Sequence, residues 1–151
     1  MAKLNDALML EILSQDLPEG ETITHCAYGI KQPNMLLMLP AFALAVLPGV
    51  ILTQVLTKHY VIGLSQSRVI VVQVKPKWST LSVAVDAVVT STYQDLAALK
   101  GTEVKNKTGA LFTNLAFSTL AGPFKAKSHR AFSKSNRPSA MAIGEAVAAA
   151  A

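Results

Sequence analysis

The chain has 151 residues, of which 51% are hydrophobic and 15% are charged, and its formal net charge is +5. This length suits a single domain with its own core, and the charged share is well below the ~25% of typical soluble proteins. Its one cysteine, Cys26, excludes an intramolecular disulfide and favours a reducing compartment. The scattered glycines form no phosphate-binding loop, and no histidine has a partner at metal-binding spacing. We therefore expect no enzymatic activity, no metal and no cofactor.

The first element in chain order is an amphipathic helix over residues 3–16. Its apolar face comprises residues at i, i+3, i+4 and i+8, namely Leu4, Ala7, Leu8 and Ile12. A Leu-Pro-Glu-Gly sequence then ends the helix, because proline cannot continue its hydrogen bonds. We assign residues 1–18 to this segment and residues 19–151 to the domain that follows. A first strand is predicted over residues 21–30.

An apolar run follows this strand. Residues 35–57, which we call the apolar insertion, read MLLMLPAFALAVLPGVILTQVLT and carry no charge. Their number matches a membrane span, since ~20 apolar residues in a helix cross a ~30 Å hydrocarbon layer. However, Pro40 and the pair Pro48-Gly49 interrupt the run, and strand-like sequence lies on both sides of it.

Several strands are predicted beyond the insertion. Two runs rich in β-branched residues, 60–64 and 69–74, flank a polar turn and indicate a hairpin. Residues 81–92 indicate two shorter strand pieces with a bend or bulge at Asp86-Ala87. Residues 101–117 indicate a second hairpin with its turn at Asn106-Lys107-Thr108-Gly109.

The end of the chain combines a basic segment with a helix. Residues 118–135 are polar and basic and are predicted to be irregular. An alanine-rich helix follows, for which Asn136 is the expected N-cap. Between residues 104 and 144 there are seven bases and no acid. The bases predicted to form a surface are Lys125, Lys127, Arg130, Lys134 and Arg137. Such a surface suits anionic lipid head groups, whereas nucleic acid is less favoured because aromatic residues do not alternate with the bases.

Three short motifs, taken with the order of elements, carry a family resemblance. They are Pro18-Glu19-Gly20-Glu21 before the first strand, the hairpin from Tyr60 to Val71, and Ser135-Asn136-Arg137 before the last helix. With these motifs the chain resembles the bacterial pleckstrin-homology-like (PH-like) domains. The resemblance implies an α+β fold, in which a bent antiparallel sheet or barrel carries a C-terminal helix. It also implies a binding or scaffolding role without enzymatic activity. The N-terminal helix and a helical apolar insertion between strands 1 and 2 would be additions to this fold.

Such a fold limits how the insertion is buried. Strands 1 and 2 must pair in one sheet, so they cannot lie on opposite faces of a bilayer. The insertion could instead dip into one leaflet as a helical hairpin, lie flat in the head-group zone, pack against copies of itself in a homo-oligomer, or form a core helix. The residues expected to contact lipid or a second copy are Leu36, Leu37, Leu39, Phe42, Leu44, Val46, Leu47, Val50, Ile51 and Leu52.

An alternative topology abandons the PH-like fold. In it, residues 35–57 form one tilted span with a basic cytoplasmic domain, as the positive-inside rule favours, because Lys58, Arg68, Lys75 and Lys77 follow the run. The expected location is thus the cytoplasmic face of a membrane, or the cytoplasm. Trp78, beside Lys77, suits either a membrane interface or a core.

Overall fold

The computed structural model describes residues 6–15, 17, 20–31, 39–40, 43, 56–78, 83–119, 122–130 and 134–151. Two helices, a single 3-10 helix and seven strands have both of their ends among these residues, and Leu39, Pro40, Ala43 and Leu56 are also helical. The helices are α1 (Asp6–Ser14) and α2 (Asn136–Ala150), and the 3-10 helix is Leu96–Leu99. The strands are β1 (His25–Lys31), β2 (Lys58–Leu64), β3 (Arg68–Trp78), β4 (Val83–Asp95), β5 (Lys107–Thr108), β6 (Phe112–Thr119) and β7 (Gly122–His129).

The strands form one antiparallel sheet in the order β4-β3-β2-β1-β7-β6-β5. Two meanders, β1 to β4 and β5 to β7, meet where β1 lies beside β7. That junction has a single pair of register partners, Ile30 and Lys127. The α+β class expected from the sequence is therefore confirmed.

Each face of the sheet is covered by one helix. The face that carries α2 holds the larger core, which includes Ala27, Ile62, Val71, Leu115, Phe117, Ile143 and Val147. This cluster contains residues of both meanders. A bent sheet brings them together on one face. The opposite face carries α1, whose Met9 and Leu13 are fully buried against β1, β2 and β3. The N-terminal helix thus shares a core with the sheet.

The first hairpin and the irregularity in β4 agree with the sequence. β2 and β3 pair from His59↔Val74 to Leu64↔Val69 around the predicted polar turn. β4 is one continuous strand, whereas two pieces were expected, and its register against β3 skips Asp86 and Val89. The predicted bulge at Asp86 is therefore correct, and the strand continues through it because bulges bend a strand without ending it.

Helix α1 ends at Ser14, two residues before the predicted end, and its buried face is rotated from the expected one. Met9, Ile12 and Leu13 are buried, whereas Ala7 is exposed and Leu8 is half-buried. Ile12 and Leu8 thus contact the core as predicted, Ala7 does not, and Leu4 lies outside the described residues. The larger side chains of Met9 and Leu13 remove more apolar surface from water than Ala7 would.

The prediction that residues 118–135 are irregular was wrong, because residues 122–129 form β7. Buried and exposed side chains alternate along this strand, with Lys125 and Lys127 exposed. The N-cap of α2 is Ser135, not Asn136, which is the first helical residue and is fully buried. The turn of the second hairpin lies at residues 109–111, three positions later than expected, so β5 has only two residues.

Candidate functional site

The apolar insertion joins two strands that are paired along their whole length. The antiparallel ladder of β1 and β2 runs from His25↔Leu64 to Lys31↔Lys58. The chain therefore leaves the sheet after Lys31 and returns at Lys58, on a neighbouring strand ~4.8 Å away. We call this end of the sheet the insertion end. The opposite end, which carries the β2–β3 turn, is the turn end.

This ladder constrains the path of residues 32–57, which contain no charged side chain. A single span that separated β1 from β2 is incompatible with their pairing, so the segment must return to the side from which it started. Leu39 and Leu56, two large apolar residues of this segment, are 58% and 45% exposed. The other predicted contact residues lie outside the described part of the chain: Leu36, Leu37, Phe42, Leu44, Val46, Leu47, Val50, Ile51 and Leu52.

A row of three lysines crosses the insertion end. Lys31 on β1 is the cross-strand partner of Lys58 on β2. Because His59 pairs with Val74, Lys58 in turn lies opposite Lys75 on β3. All three lysines are exposed, and none forms a salt bridge with an acid in the described ranges. Like charges opposite each other destabilise a sheet, so an anion bound to this lysine row would relieve that repulsion.

Strand β7 adds two more cations near the same end. Lys127 is the register partner of Ile30, and Lys125 lies two residues further towards the insertion end. The Lys127 ammonium lies 5.9 Å from the centre of the Phe112 ring. Both lysines are exposed on the outer side of the strand. Of these two residues of the predicted basic surface, Lys125 therefore lies beside the base of the insertion, whereas the Lys127 ammonium is directed towards Phe112 and the turn end.

The other three residues of that predicted surface lie elsewhere. The backbone N–H of Arg130 donates to Leu111 O at 3.0 Å, and the Arg137 guanidinium donates to Ala110 O at 3.4 Å. Both carbonyls belong to the β5–β6 turn, which is at the turn end. Lys134 is exposed just before α2. The fold thus divides the basic residues between the two ends of the sheet.

At the turn end, one arginine is paired with two acids of the protein itself. Arg68 lies between two carboxylates, with Nε at 3.1 Å from Asp95 Oδ1 and 3.7 Å from Glu21 Oε2. The Ser67 hydroxyl also donates a hydrogen bond to Glu21. This end therefore has an internally paired charge cluster, in contrast to the lysine row at the other end.

A buried tyrosine–histidine pair lies directly behind the lysine row. The hydroxyl of Tyr28 on β1 is hydrogen-bonded to Nδ1 of His59 on β2, and the two rings stack with centroids 5.9 Å apart. Burial raises the pKa of the Tyr28 hydroxyl and lowers the pKa of the His59 imidazole. Both groups are thus held neutral, which suits a structural role at the start of β2.

Lowering the pH from 7.5 to 5.5 is expected to reduce the free energy of unfolding through His59. The pKa of this group is below its unfolded value of ~6.5, so the unfolded chain binds the additional proton. Its stabilising contribution is complete above pH ~6.5 and is lost as the pH falls through the lower, folded pKa. Urea unfolding across this range should show a flatter pH dependence for H59Q. The control H25Q, which replaces an exposed histidine, should behave as wild type; a wild-type slope in H59Q would contradict the assignment.

The β3–β4 hairpin also projects at the insertion end. The backbone of Trp78, which pairs with Val83, lies three residues beyond Lys75 along β3. At ~3.3 Å per residue this places it ~10 Å past the lysine row. The interpretation of Trp78 as an interfacial residue is compatible with that position.

No catalytic arrangement emerges from the described residues. His25 is exposed and Cys26 is buried, so these neighbours point to opposite faces of β1 and cannot act together. No group of three potential metal ligands occurs within the described ranges.

A groove of about 220 Å³ separates α2 from β5 and β6. Its Asn106 side chain is engaged in packing, because it donates to Gly144 O at 2.9 Å and accepts from Ala116 N–H at 3.1 Å.

The lysine row was missed from sequence because its members are 27 and 17 positions apart and meet only through strand register. One signal was present, since Lys31 and Lys58 bracket the uncharged segment.

Among the described residues, no helix is long and apolar enough to cross a membrane. Comparisons with protein-family models, curated proteins and solved structures found no match to the chain.

Proposed function

We propose that the chain is a non-enzymatic, PH-like binding or scaffold module that attaches to the cytoplasmic face of a membrane through the apolar insertion. One observation carries the proposal: an uncharged segment of 26 residues leaves the sheet after Lys31 and returns at Lys58 on the paired strand. A segment with these two ends would form a protrusion from one end of the sheet. The antiparallel sheet and its C-terminal helix are compatible with the PH-like resemblance.

The length of the protrusion suits one leaflet. A helical hairpin with about half of these residues in each arm would reach ~20 Å from the sheet at 1.5 Å per residue, which is less than the ~30 Å hydrocarbon thickness. The break at Pro48-Gly49 would supply a turn, because proline interrupts a helix and glycine permits tight turns. The hydrophobic side chains would then be buried in lipid.

Self-assembly is the second candidate. The exposure of Leu39 and Leu56 favours it as well, because large apolar side chains that emerge from a sheet can pack against a second copy. The small residues Ala41, Ala43 and Ala45 would permit close approach of helices in either setting. Lipid is favoured over a second copy because exposed lysines lie at the base of the protrusion.

Replacing Leu44 and Val46 with aspartate is expected to abolish attachment to vesicles. Each substitution removes ~1.5–3 kcal/mol of apolar burial and places a charge in hydrocarbon at a further ~2.5–3.5 kcal/mol. Flotation with phosphatidylcholine vesicles measures the loss, which should exceed a hundredfold. The control L111D makes the same kind of change at an exposed leucine of the turn end and should bind as wild type.

Two results would overturn membrane attachment. One is flotation of L44D/V46D at the wild-type level. The other is a wild-type protein that ignores vesicles but forms a defined oligomer by light scattering, converted to monomers by L44D/V46D. That second result would establish self-assembly as the role of the insertion.

A further inference from the structure

We infer that the insertion end is a docking surface for the anionic head groups of a membrane leaflet, bound mainly by Lys31, Lys58 and Lys75. This inference rests on the proposed membrane attachment and adds the lipid class to it. The three ammonium groups belong to adjacent strands, at the point where the uncharged segment begins and ends. A protein that inserted this segment would bring the lysine row to the level of the head groups.

Strand register places the three lysines of the row next to one another on adjacent strands. Partners on neighbouring strands are separated by ~4.8 Å, so the three lysine backbones span only ~10 Å. Lysine side chains are long and flexible, and they can extend their ammonium groups past apolar surroundings to an interface. The row therefore matches several neighbouring lipid phosphates or carboxylates, rather than one ligand in a closed pocket.

The charged residues at the two ends of the sheet have different surroundings. Lys125 adds one exposed cation beside the insertion end, whereas the Lys127 ammonium is directed towards Phe112 and the turn end. Lys105 on the same part of the sheet is neutralised by Glu103, whose carboxylate lies 2.9 Å from its ammonium group. The acids at the opposite end are Glu21 and Asp95, already engaged by Arg68. The cations of the insertion end differ from those of the turn end in lying where the uncharged segment leaves and re-enters the sheet, so an anionic surface that this segment contacted would meet the lysine row.

Nucleic acid fits these observations less well. A surface that binds single-stranded nucleic acid would have aromatic side chains between its cations, on which the bases stack. Tyr60 lies two residues from Lys58 along β2, and its ring packs edge-on against that of Phe124 with centroids 5.0 Å apart. Tyr60 is therefore committed to the core.

The test compares vesicles of phosphatidylcholine alone with vesicles that contain 30 mol % phosphatidylserine. Each lysine near such a surface is expected to strengthen binding by about fivefold, so the wild type should prefer the anionic vesicles by on the order of 100-fold. The triple variant K31Q/K58Q/K75Q should lose most of this preference and keep its binding to the neutral vesicles. High salt should reduce the wild-type preference in the same way, since it screens exposed charges.

The matched control is K100Q/R130Q/K134Q, which removes three exposed cations away from the lysine row. It should retain the wild-type preference. Equal binding of the wild type to both vesicles, or a preference that the K31Q/K58Q/K75Q variant keeps, would overturn the inference while leaving membrane attachment intact. Failure to bind either vesicle would refute the attachment itself. Loss of oligonucleotide binding in the same variant, without any lipid preference, would reassign the surface to nucleic acid.

Discussion

Replacing Asn136 with alanine is expected to lower the free energy of unfolding by about 3–4 kcal/mol, because three backbone groups lose their partner. The Asn136 amide lies at the junction of the two meanders and is fully buried. Its Oδ1 accepts from Tyr28 N–H at 2.7 Å, and its Nδ2 donates to Tyr28 O at 3.2 Å and to His129 O at 2.8 Å. The Asn136 side chain thus supplies hydrogen bonds to the backbones of β1 and β7 where these two strands do not pair with each other.

Urea unfolding monitored by circular dichroism measures this loss. The control N114A removes a half-exposed asparagine from the neighbouring strand β6 and should change stability by less than ~1 kcal/mol. N136D should also be destabilised, because a carboxylate would face two carbonyl oxygens. If N136A were as stable as N114A, the amide would not hold the two meanders together.

Adding a methyl group at Gly63 is expected to destabilise the protein by about 1–3 kcal/mol through a clash with helix α1. A Cβ at this position would lie 2.6 Å from Leu13 Cδ1 and 3.0 Å from Cδ2. Leu13 is fully buried, so it has little room to move away. The close approach of α1 to β2 therefore depends on glycine at position 63.

A double-mutant cycle separates this clash from a general effect of alanine in the strand. L13A alone should cost about 2–5 kcal/mol by leaving a cavity, which the methyl group of G63A would partly fill. The double variant should thus be more stable than the sum of the single effects predicts, by at least ~1 kcal/mol. G29A, a change on the opposite face of the sheet, should be additive with L13A. Additivity of G63A with L13A would disprove the contact.

Local pattern was sufficient to predict those elements in which neighbouring residues determine the structure. The hairpin around residues 65–67 has β-branched runs on both sides of a polar turn, and these alone favour pairing. The bulge at Asp86 was visible because a charge interrupts an apolar strand. Strand β7 was not predicted, because its many basic residues indicated an irregular surface segment. The alternation of Lys125 and Lys127 with small or apolar residues is the pattern that favours a strand there.

Features that depend on distant parts of the chain were not predictable. Asn136 has the residue type and position of an N-cap, and only the approach of β1, 108 positions away, explains its burial. The lysine row likewise depends on register among three strands. Helix α1 has apolar residues on more than one side, so its buried face is determined by where Gly63 leaves space for Leu13.

The amide of Tyr28 has one further consequence for experiment. Its hydrogen is bonded to the side chain of Asn136 on α2, not to a carbonyl of an adjacent strand. Exchange of this hydrogen with deuterated solvent therefore requires that the start of α2 moves away from β1, while the β1–β2 ladder can stay intact. A single amide resonance thus reports the docking of the C-terminal helix, independently of the rest of the sheet.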